Sequence, residues 1–257
     1  MDENYVNENK RIWDTRADNG DKWSEPVSSE EISEAREGRW RIVLTPGKPV
    51  PREWFPKEMG GKKILCLAGG GGQQGPMLAA AGADVTVFDN SPGQLEKDLY
   101  VAARDGLDIK TVEGNMQDLS AFGDGTFDVI VNPWSNCFID NVLPVWRECY
   151  RVLKKGGRLL AGFGSPIEYI FDPEKFEKGQ LVPKYSVPYA DIDHLDDPKI
   201  REVTAAEGYC WGHTLEDQIQ GQISAGFVIT GFYEDRGCSL LDPYISTSMA
   251  TRAEKIS

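Results

Sequence analysis

The sequence predicts an α/β fold with a doubly wound, mostly parallel sheet of seven strands. Between residues 62 and 163, five short apolar runs alternate with segments of helical periodicity. A run of four glycines follows the first apolar run, and two further strand-like runs lie near the C-terminus. Short apolar strands separated by helices are typical of parallel sheets that are covered by helices on both faces.

The strands are predicted where aliphatic, β-branched and aromatic residues cluster. The five central strands are expected at 64–67, 84–88, 109–112, 127–131 and 158–163, and the two C-terminal strands at 227–234 and 245–252.

Capping residues and apolar periodicity predict the helices between these strands. A short helix is expected at 76–81, and a longer one at 92–104, with Ser91 as N-cap and Pro92 in the first turn. An amphipathic pattern predicts a helix at 139–154, which Gly156 and Gly157 end, and Thr214 caps a last helix that extends to about 225.

Two segments fall outside this alternation. Residues 1–57 carry four of the seven tryptophans, so we predict an ordered N-terminal arm, or lid, that packs over a domain spanning residues 58–257. Within the arm, Ser28 and Glu31 form a capping box that begins a short helix. Residues 164–212 contain five prolines and many acidic and aromatic residues, which predicts a cap inserted into the domain.

Composition excludes several classes of function. The net charge of −13 disfavours binding to phosphate backbones, so we expect no nucleic-acid partner. No apolar run is long enough to span a membrane, and the polar start differs from a signal peptide, so we expect no membrane association and a cytoplasmic location. The five cysteines form no Cys-x-x-Cys pair, and the acidic residues around His194 are interpreted as a solvated loop. We therefore expect no disulfide framework and no metal site.

The glycine-rich stretch KILCLAGGGGQQG at 63–75 poses the main functional question, because glycine destabilises regular structure unless the backbone needs its freedom. One interpretation is a dinucleotide fingerprint. Gly70, Gly72 and Gly75 satisfy G-x-G-x-x-G, and Asp89 follows at the distance of a ribose-binding acid. In this register, two surplus residues separate the strand from the first glycine. An NAD(P)-dependent oxidoreductase is therefore one alternative.

The second interpretation rests on a resemblance to a family. Residues 64–72, ILCLAGGGG, resemble motif I of class I S-adenosylmethionine (SAM) dependent methyltransferases, with Cys66 in the place of the family's acid and Ala68 in the place of its first glycine. In the family, that acid orders the loop or reaches the cofactor's amino group. The segment 146–160 is similar to the helix-turn-strand segment of members that act on small molecules. The resemblance implies a Rossmann-like methyltransferase fold.

The resemblance also implies how the cofactor is held. Asp89 would accept hydrogen bonds from both ribose hydroxyls, as an ionised carboxylate is able to do. Asn115 would take the adenine amino group, with Met116 beside the ring. The full implied set of cofactor-binding residues is Ala68, Gly69, Gly70, Gly72, Gln73, Gln74, Asp89, Asn90, Gln94, Asn115, Met116, Asn132 and Pro133, of which Gln73 and Gln74 would reach the charged end of the methionine.

Candidates for catalysis follow the fourth strand and the cap. Asn132 and Trp134 fall at the methyl-transfer position of the family, and the preferred interpretation of this segment is a strand-end turn that touches the cofactor. Asn136 either orients an acceptor or caps a helix, and His213 is either a general base or a residue of a helix start. Trp23 is our choice for the acceptor pocket, while the arm's tryptophans also suit a purely structural role.

The function expected from the resemblance is transfer of a methyl group from SAM to an unidentified small-molecule acceptor, with S-adenosylhomocysteine (SAH) as product. Such an in-line displacement requires alignment of the reacting atoms and exclusion of water. A base is required only if the acceptor atom carries a proton. A protein that binds SAM without methylating anything is a further alternative.

Overall fold

The computed structural model describes residues 4–237 and 239–257. The strands are β1 (Lys63–Leu67), β2 (Asp84–Asp89), β3 (Ile109–Glu113), β4 (Phe127–Asn132), β5 (Leu153–Gly164), β6 (Tyr189–Ala190), β7 (Trp211–Gly212), β8 (Val228–Asp235) and β9 (Ser248–Glu254). The helices are α1 (Asn4–Asp18), α2 (Ser29–Arg36), α3 (Gln74–Ala80), α4 (Pro92–Asp105), α5 (Leu143–Val152), α6 (Pro173–Glu177), α7 (Pro198–Glu207) and α8 (Gly221–Ser224).

Within the described residues, seven strands form one sheet in the order β3-β2-β1-β4-β5-β9-β8. Strands β1 to β5 pair in parallel, whereas β9 pairs antiparallel with both β5 and β8. The prediction of a doubly wound, mostly parallel seven-stranded sheet is therefore confirmed. The strand order reverses between β1 and β4, and in such sheets ligands bind in the crevice at the carboxyl ends of these strands.

The central strands are held by burial on both faces of the sheet. Four of the five residues of β1 are buried, and alternate side chains enter different cores because successive residues of a strand point to opposite faces. Ile64 and Cys66 pack in one core, and Leu65 and Leu67 pack in the other beside the fully buried Trp146 of α5. This double burial explains why the strands read as continuous apolar runs.

Local hydrogen bonds set the helix ends that the sequence predicts. At α2, the Ser28 hydroxyl accepts from the Glu31 N–H at 3.2 Å and the Glu31 carboxylate accepts from the Ser28 N–H at 2.8 Å, so the capping box is present. At α4, the Ser91 hydroxyl accepts from the Gln94 N–H at 3.1 Å. Gly106, with φ of +65°, ends α4 in the left-handed region that favours glycine.

Two helix predictions were too long. The helix expected at 139–154 begins only at Leu143, where the Asn141 side chain accepts from the Leu143 N–H at 3.0 Å. It ends at Val152 because β5 starts with the next residue. After Thr214, which accepts from the Asp217 N–H at 3.0 Å, the chain forms a π-helical turn at Glu216–Gln220 before the short α8.

The arm contains a long helix that the sequence analysis missed. Helix α1 packs against α4 and α7 and buries Tyr5, Asn9 and Ile12 on one face. The polar Asn9 in the middle of this stripe hides the apolar periodicity. The inserted segment likewise holds α6, α7 and the two-stranded sheet of β6 and β7. In the described part of the chain, no helix has the length and apolar character to cross a membrane.

Candidate active site

The turn after β1 begins with an unusual backbone conformation. Ala68 has a φ of +46°, and its N–H donates to the Phe88 carbonyl at 2.7 Å. A positive φ is costly for a residue with a side chain, which explains why the resembling family has glycine at this position. Ala68 nevertheless keeps the conformation, and it lines the cavity described below together with Gly69 and Gly70.

Protein atoms, rather than open space, surround the next three glycines. A Cβ built on Gly70 would lie 2.8 Å from the Gln94 Cβ, and one on Gly71 would lie 2.7 Å from the Trp23 carbonyl oxygen. A Cβ on Gly72 would lie 2.8 Å from the Lys97 carbonyl oxygen, and Gly72 does not line the cavity. The expectation that this run leaves room for a ligand is therefore corrected for Gly71 and Gly72, whose missing side chains leave room for α4 and the arm.

The amide groups of these glycines are already hydrogen-bonded to carboxylates. The Gly70 N–H donates to Asp89 Oδ2 at 3.0 Å, and the N–H groups of Gly71 and Gly72 donate to Asp98 Oδ2 at 3.0 and 3.1 Å. A dinucleotide fingerprint needs such amides to bind its pyrophosphate. With Asp89 and Asp98 already accepting these N–H groups, a bound pyrophosphate would lose its donors. The geometry argues against the dinucleotide interpretation.

Asp89 ends β2 at the edge of the cavity. Besides the bond from Gly70, its Oδ1 accepts from the Ser91 N–H at 3.0 Å. Burial raises the pKa of Asp89, while the backbone N–H groups of Ser91, Gly70 and Asn90 act in the opposite direction. These donors fix the carboxylate in one orientation at the end of its strand.

The loop after β3 forms the neighbouring wall. Gly114, Asn115 and Met116 all line the cavity. The Asn115 side chain accepts from the Gln117 N–H at 3.0 Å, which closes a short turn and fixes the loop, and Met116 is buried.

Of the residues predicted in the loop after β4, some line the cavity and others do not. Pro133 and Trp134 line the cavity, whereas Asn132 is fully buried and donates to the Leu67 carbonyl at 3.1 Å and to the Ser135 hydroxyl at 2.8 Å. Asn132 therefore joins the ends of β1 and β4 and does not face the cavity.

Asn136 and His213 lie behind the cavity wall. Asn136 is buried, donates to the Gln218 side chain at 3.1 Å, and does not line the cavity. His213 Nε2 lies 3.0 Å from the Asn136 carbonyl oxygen, and burial lowers the pKa of the imidazole. Because its ring nitrogen is engaged by a backbone carbonyl away from the cavity, the structure does not support His213 as a general base.

The arm forms the roof of the cavity. The Asp14 carboxylate accepts from the Ser91 hydroxyl at 2.5 Å and from the Gly93 N–H at 2.9 Å, which ties α1 to the start of α4. The Asn9 side chain donates to the carbonyls of Phe138 and Tyr209, each at 3.1 Å, and so links the arm to the β4 loop and to the insert. These bonds place the arm over the crevice.

The side chains of Gln73 and Gln94 complete this attachment. Gln73 donates to the carbonyls of Lys22 and Glu25 at 3.2 and 3.1 Å, and Gln94 donates to the Ser24 hydroxyl at 2.7 Å. The amide donors of these two residues, which the resemblance assigns to the cofactor, are therefore used by the arm.

Between this roof and the strand ends lies a cavity of about 780 Å³. Its volume is in the range of small-molecule sites. The sheet side contributes Ala68, Gly69, Gly70, Gln73, Gln74, Asp89, Asn90, Ser91, Gln94, Gly114, Asn115, Met116, Pro133, Trp134, Ser135, Cys137, Phe138 and Ile139. The arm contributes Val6, Asn9, Lys10, Trp13, Arg16, Asp21, Lys22, Trp23, Val43, Leu44, Thr45 and Pro46, and the insert contributes Tyr169, Glu207 and Cys210.

Comparisons with known proteins agree on the family of this chain. Residues 65–161 match the family described as Methyltransferase domain. A solved SAM-dependent methyltransferase from Mesorhizobium loti has the same fold, with a TM-score of 0.61 at 18% identity over 79% of this chain and 94% of its own. A Bacillus subtilis (strain 168) protein named Uncharacterized methyltransferase YbaJ is 52% identical over 252 residues, which cover 98% of each chain. The chain belongs to the class I SAM-dependent methyltransferases.

A more distant relative of this methyltransferase is the Demethylmenaquinone methyltransferase of Paenarthrobacter aurescens (strain TC1). It is 30% identical over 142 residues, which cover 55% of this chain and 51% of the relative.

Unpartnered polar atoms in the wall of the methyltransferase cavity fit a cofactor with charged groups. Among the described residues, Gln74 Oε1, Gln94 Oε1 and Arg16 Nε are buried without a hydrogen-bond partner, and all three side chains line the cavity. Buried polar atoms are normally hydrogen-bonded, so these atoms indicate that a polar ligand belongs here. SAM, which carries an ammonium, a carboxylate and a sulfonium, has the matching chemistry.

The sequence analysis considered the arm's tryptophans but chose Trp23 rather than Trp13, and it missed the roof residue Arg16 and the pair Cys137 and Cys210. The two cysteines are distant in sequence, but a hydrogen bond that the Cys210 thiol donates to the Cys137 side chain, together with burial, raises the pKa of Cys210. Only the fold brings them together, so no local spacing signals the pair. For Trp13 and Arg16, the recognition of α1 as a helix would have been the signal.

Proposed function

We propose that this methyltransferase transfers the methyl group of SAM to a small-molecule acceptor by in-line displacement. The observation that carries the proposal is the composition of the cavity. Strand-end polar residues occupy one part of its wall, and aromatic residues of the arm, the β4 loop and the insert occupy another. Residues 1–57 and 164–212 act as its roof and cap. When bound, SAM supplies an electrophilic methyl group on a sulfonium.

The cofactor is assigned to the strand-end part of the wall. Asp89 is proposed to hold the ribose hydroxyls, and Asn115 and Met116 the adenine. The unpartnered Gln74 Oε1 suits the ammonium group of the methionine, and the guanidinium of Arg16 suits its carboxylate.

The acceptor is assigned to the aromatic part of the wall. The rings of Trp13 and Phe138 meet edge to face with centroids 5.2 Å apart, and Trp134 and Tyr169 also line this space. Such surfaces suit a small, planar and largely apolar molecule. A relative named for demethylmenaquinone, a ring-bearing compound, supports this class. The net charge of −13 supports the exclusion of nucleic acids, and the free thiols of Cys66, Cys137, Cys149 and Cys210 support a cytoplasmic location.

The protein's chemical contribution is alignment and exclusion of water rather than proton transfer by histidine. Neither His194 nor His213 lines the cavity. Burial raises the pKa of Tyr169, and the pKa of Cys210 is raised as well, so both groups hold their protons at neutral pH. We infer that the acceptor atom reacts without a dedicated histidine base.

Parallel calorimetric titrations with SAM, SAH and NADH test the cofactor. We expect binding in the micromolar range for SAM and SAH and none for NADH, because carboxylates engage the amides that a pyrophosphate needs. Binding of NADH alone would overturn the proposal. Incubation with SAM and a library of ring-bearing small molecules then tests turnover. Release of SAH that depends on time and on one compound is expected, and SAM binding without release for any compound class would support the non-methylating alternative.

A further inference from the structure

The glycine turn carries a carboxylate that the family pattern does not place there. Position 66, where the family has its acid, is the fully buried Cys66. Besides Asp89, which accepts the Gly70 N–H, a second carboxylate contacts the turn, and it comes from Asp98, which lies in α4 and has a relative exposure of 0%. Asp98 is far from the motif in sequence, and neither the motif nor the resemblance singles it out.

The contacts of Asp98 fix the turn from behind. Its Oδ2 accepts the N–H groups of both Gly71 and Gly72, at 3.0 and 3.1 Å. Its Oδ1 lies 2.8 Å from where a Cβ on Gly75 would stand, so the carboxylate is also packed against the start of α3. One buried side chain thus sets the path of the backbone from the end of β1 to the first turn of α3.

Asp98 is connected to the cavity through the backbone of the glycine turn. Gly69 and Gly70 line the cavity, and the next two residues are those that Asp98 holds. Asp98 itself does not line the cavity. The charge of SAM is therefore not its direct partner, and any effect on the cofactor passes through the backbone.

We propose that Asp98 is the positioning residue of the cofactor turn, which fixes the Gly69–Gly70 wall in its binding conformation before SAM arrives. This inference rests on the proposed placement of SAM against that wall. Because a wall that is already ordered does not lose conformational entropy when the cofactor binds, the affinity for the cofactor is higher.

The protonation state of Asp98 indicates which substitution preserves the role. Burial raises the pKa of Asp98 to about 8, while the bonds from Gly72 and Gly71 oppose the shift. At neutral pH the group is therefore largely a neutral carboxylic acid. Asparagine has the same shape, is neutral, and keeps one oxygen that accepts both N–H groups.

The test compares Asp98→Ala and Asp98→Asn by calorimetric titration with SAH. We expect Asp98→Ala to raise the SAH dissociation constant by about tenfold or more, because the buried Gly72 N–H loses its acceptor and the Gly71 N–H keeps only the Gln94 carbonyl, at 3.1 Å. Asp98→Asn is expected to stay within about threefold of the wild type. Gln222→Ala is the matched control, since Gln222 is also fully buried and hydrogen-bonded but lies in α8. It should lower the melting temperature and leave the SAH dissociation constant unchanged.

Two results would overturn the inference. If Asp98→Ala binds SAH as the wild type does while Asp89→Ala binds it weakly, Asp98 contributes only to stability. If neither variant is weakened, the placement of SAM is wrong. Should Asp98→Ala fail to fold, hydrogen exchange of the wild-type peptide that contains Gly71 and Gly72 decides the matter. Slow exchange without SAH supports pre-ordering, and protection that appears only on addition of SAH refutes it.

Discussion

The two walls of the cavity are built on different principles. The sheet-side wall consists of residues at or just after the carboxyl ends of β1 to β4, and backbone N–H groups of these neighbouring strand-end turns hold the Asp89 carboxylate. The roof consists of the arm and the insert, which single side chains such as Asn9 and Asp14 attach to the rest of the molecule. The sheet-side wall is thus held mainly by hydrogen bonds to the backbone of its strand-end turns, whereas the roof depends on a few side-chain bonds between distant segments.

This difference predicts how each wall responds to a substitution. A substitution in the sheet-side wall should affect the cofactor and leave the fold intact, because the strands are buried on both faces. A substitution in the roof should affect stability or acceptor binding first. The predictions below are ordered from the largest expected effect to the smallest.

Asp89→Ala should raise the SAM dissociation constant by about ten- to a hundredfold, because charge-assisted hydrogen bonds to the ribose are lost. Calorimetric titration measures it. Asp84→Ala is the matched control, since Asp84 lies at the opposite end of the same strand and pairs at the surface with Lys110. Equal affinity in both variants would mean that the ribose binds elsewhere.

Asn9→Ala should lower the free energy of unfolding by about 1–3 kcal/mol, because three buried backbone groups lose their hydrogen-bond partner. These groups are the Tyr209 N–H, which donates to Asn9 Oδ1 at 2.7 Å, and the carbonyls of Phe138 and Tyr209. Urea unfolding measures this change. Glu8→Ala, next to it on the exposed face of α1, should cost less than about 0.5 kcal/mol. SAH affinity should change less than in Asp89→Ala, and a larger loss of affinity would contradict the separation of the two walls.

Asp98→Asn should change how stability depends on pH. Burial raises the pKa of Asp98 to about 8, above its unfolded value of about 3.9, so the native state binds the extra proton. The stability that this group contributes is therefore fully present below about pH 4 and is lost as pH rises through about 8. Between about pH 5 and 9, the free energy of unfolding of the wild type should fall relative to that of the variant. A difference that is constant with pH in urea titrations would refute this assignment.

Trp23→Ala should change the SAH dissociation constant by less than about threefold. Trp23 lines the cavity, but 42% of its surface is exposed and its ring is covered by the Lys22 ammonium at 4.8 Å. Trp13→Ala is the informative comparison, because the Trp13 ring contacts both Phe138 and the Arg16 guanidinium. We expect Trp13→Ala to weaken SAH binding more, because the Trp13 ring contacts the Arg16 guanidinium that is proposed to hold the methionine carboxylate, and the reverse order would contradict that placement.

The parts of the fold that were predicted are those in which neighbouring residues carry the information. All seven strands of the main sheet were placed to within a few residues, apart from the start of β5, because apolar runs and turn residues are local signals. Helix α1 was missed because it becomes stable through contacts with α4 and α7 that its own sequence does not show. The order of elements within the insert was missed for the same reason.

For the candidate site too, features set by neighbouring residues were predicted and features set by distant contacts were not. The strand-end residues Asp89, Asn115 and Met116 line the cavity as expected, since the position after a strand follows from the strand itself. Asn132 and Asn136 were placed in the right loop, but sequence gives no indication that their side chains turn inward to the Leu67 carbonyl and to Gln218. Asp98 and the arm's Asn9 have roles that exist only after distant segments have met.

The attachment of α1 has a consequence for the order in which the molecule is assembled. The bond between Asn9 and the Tyr209 carbonyl joins residues 200 positions apart, so α1 completes its contacts only after the insert has been made. Contacts of such long range form late and slow the final steps of folding. The sheet and its strand-end turns need no part of this bond to form. We expect the sheet-side wall, whose strands β1 to β4 lie within residues 63–132, to form before this attachment of the roof is complete.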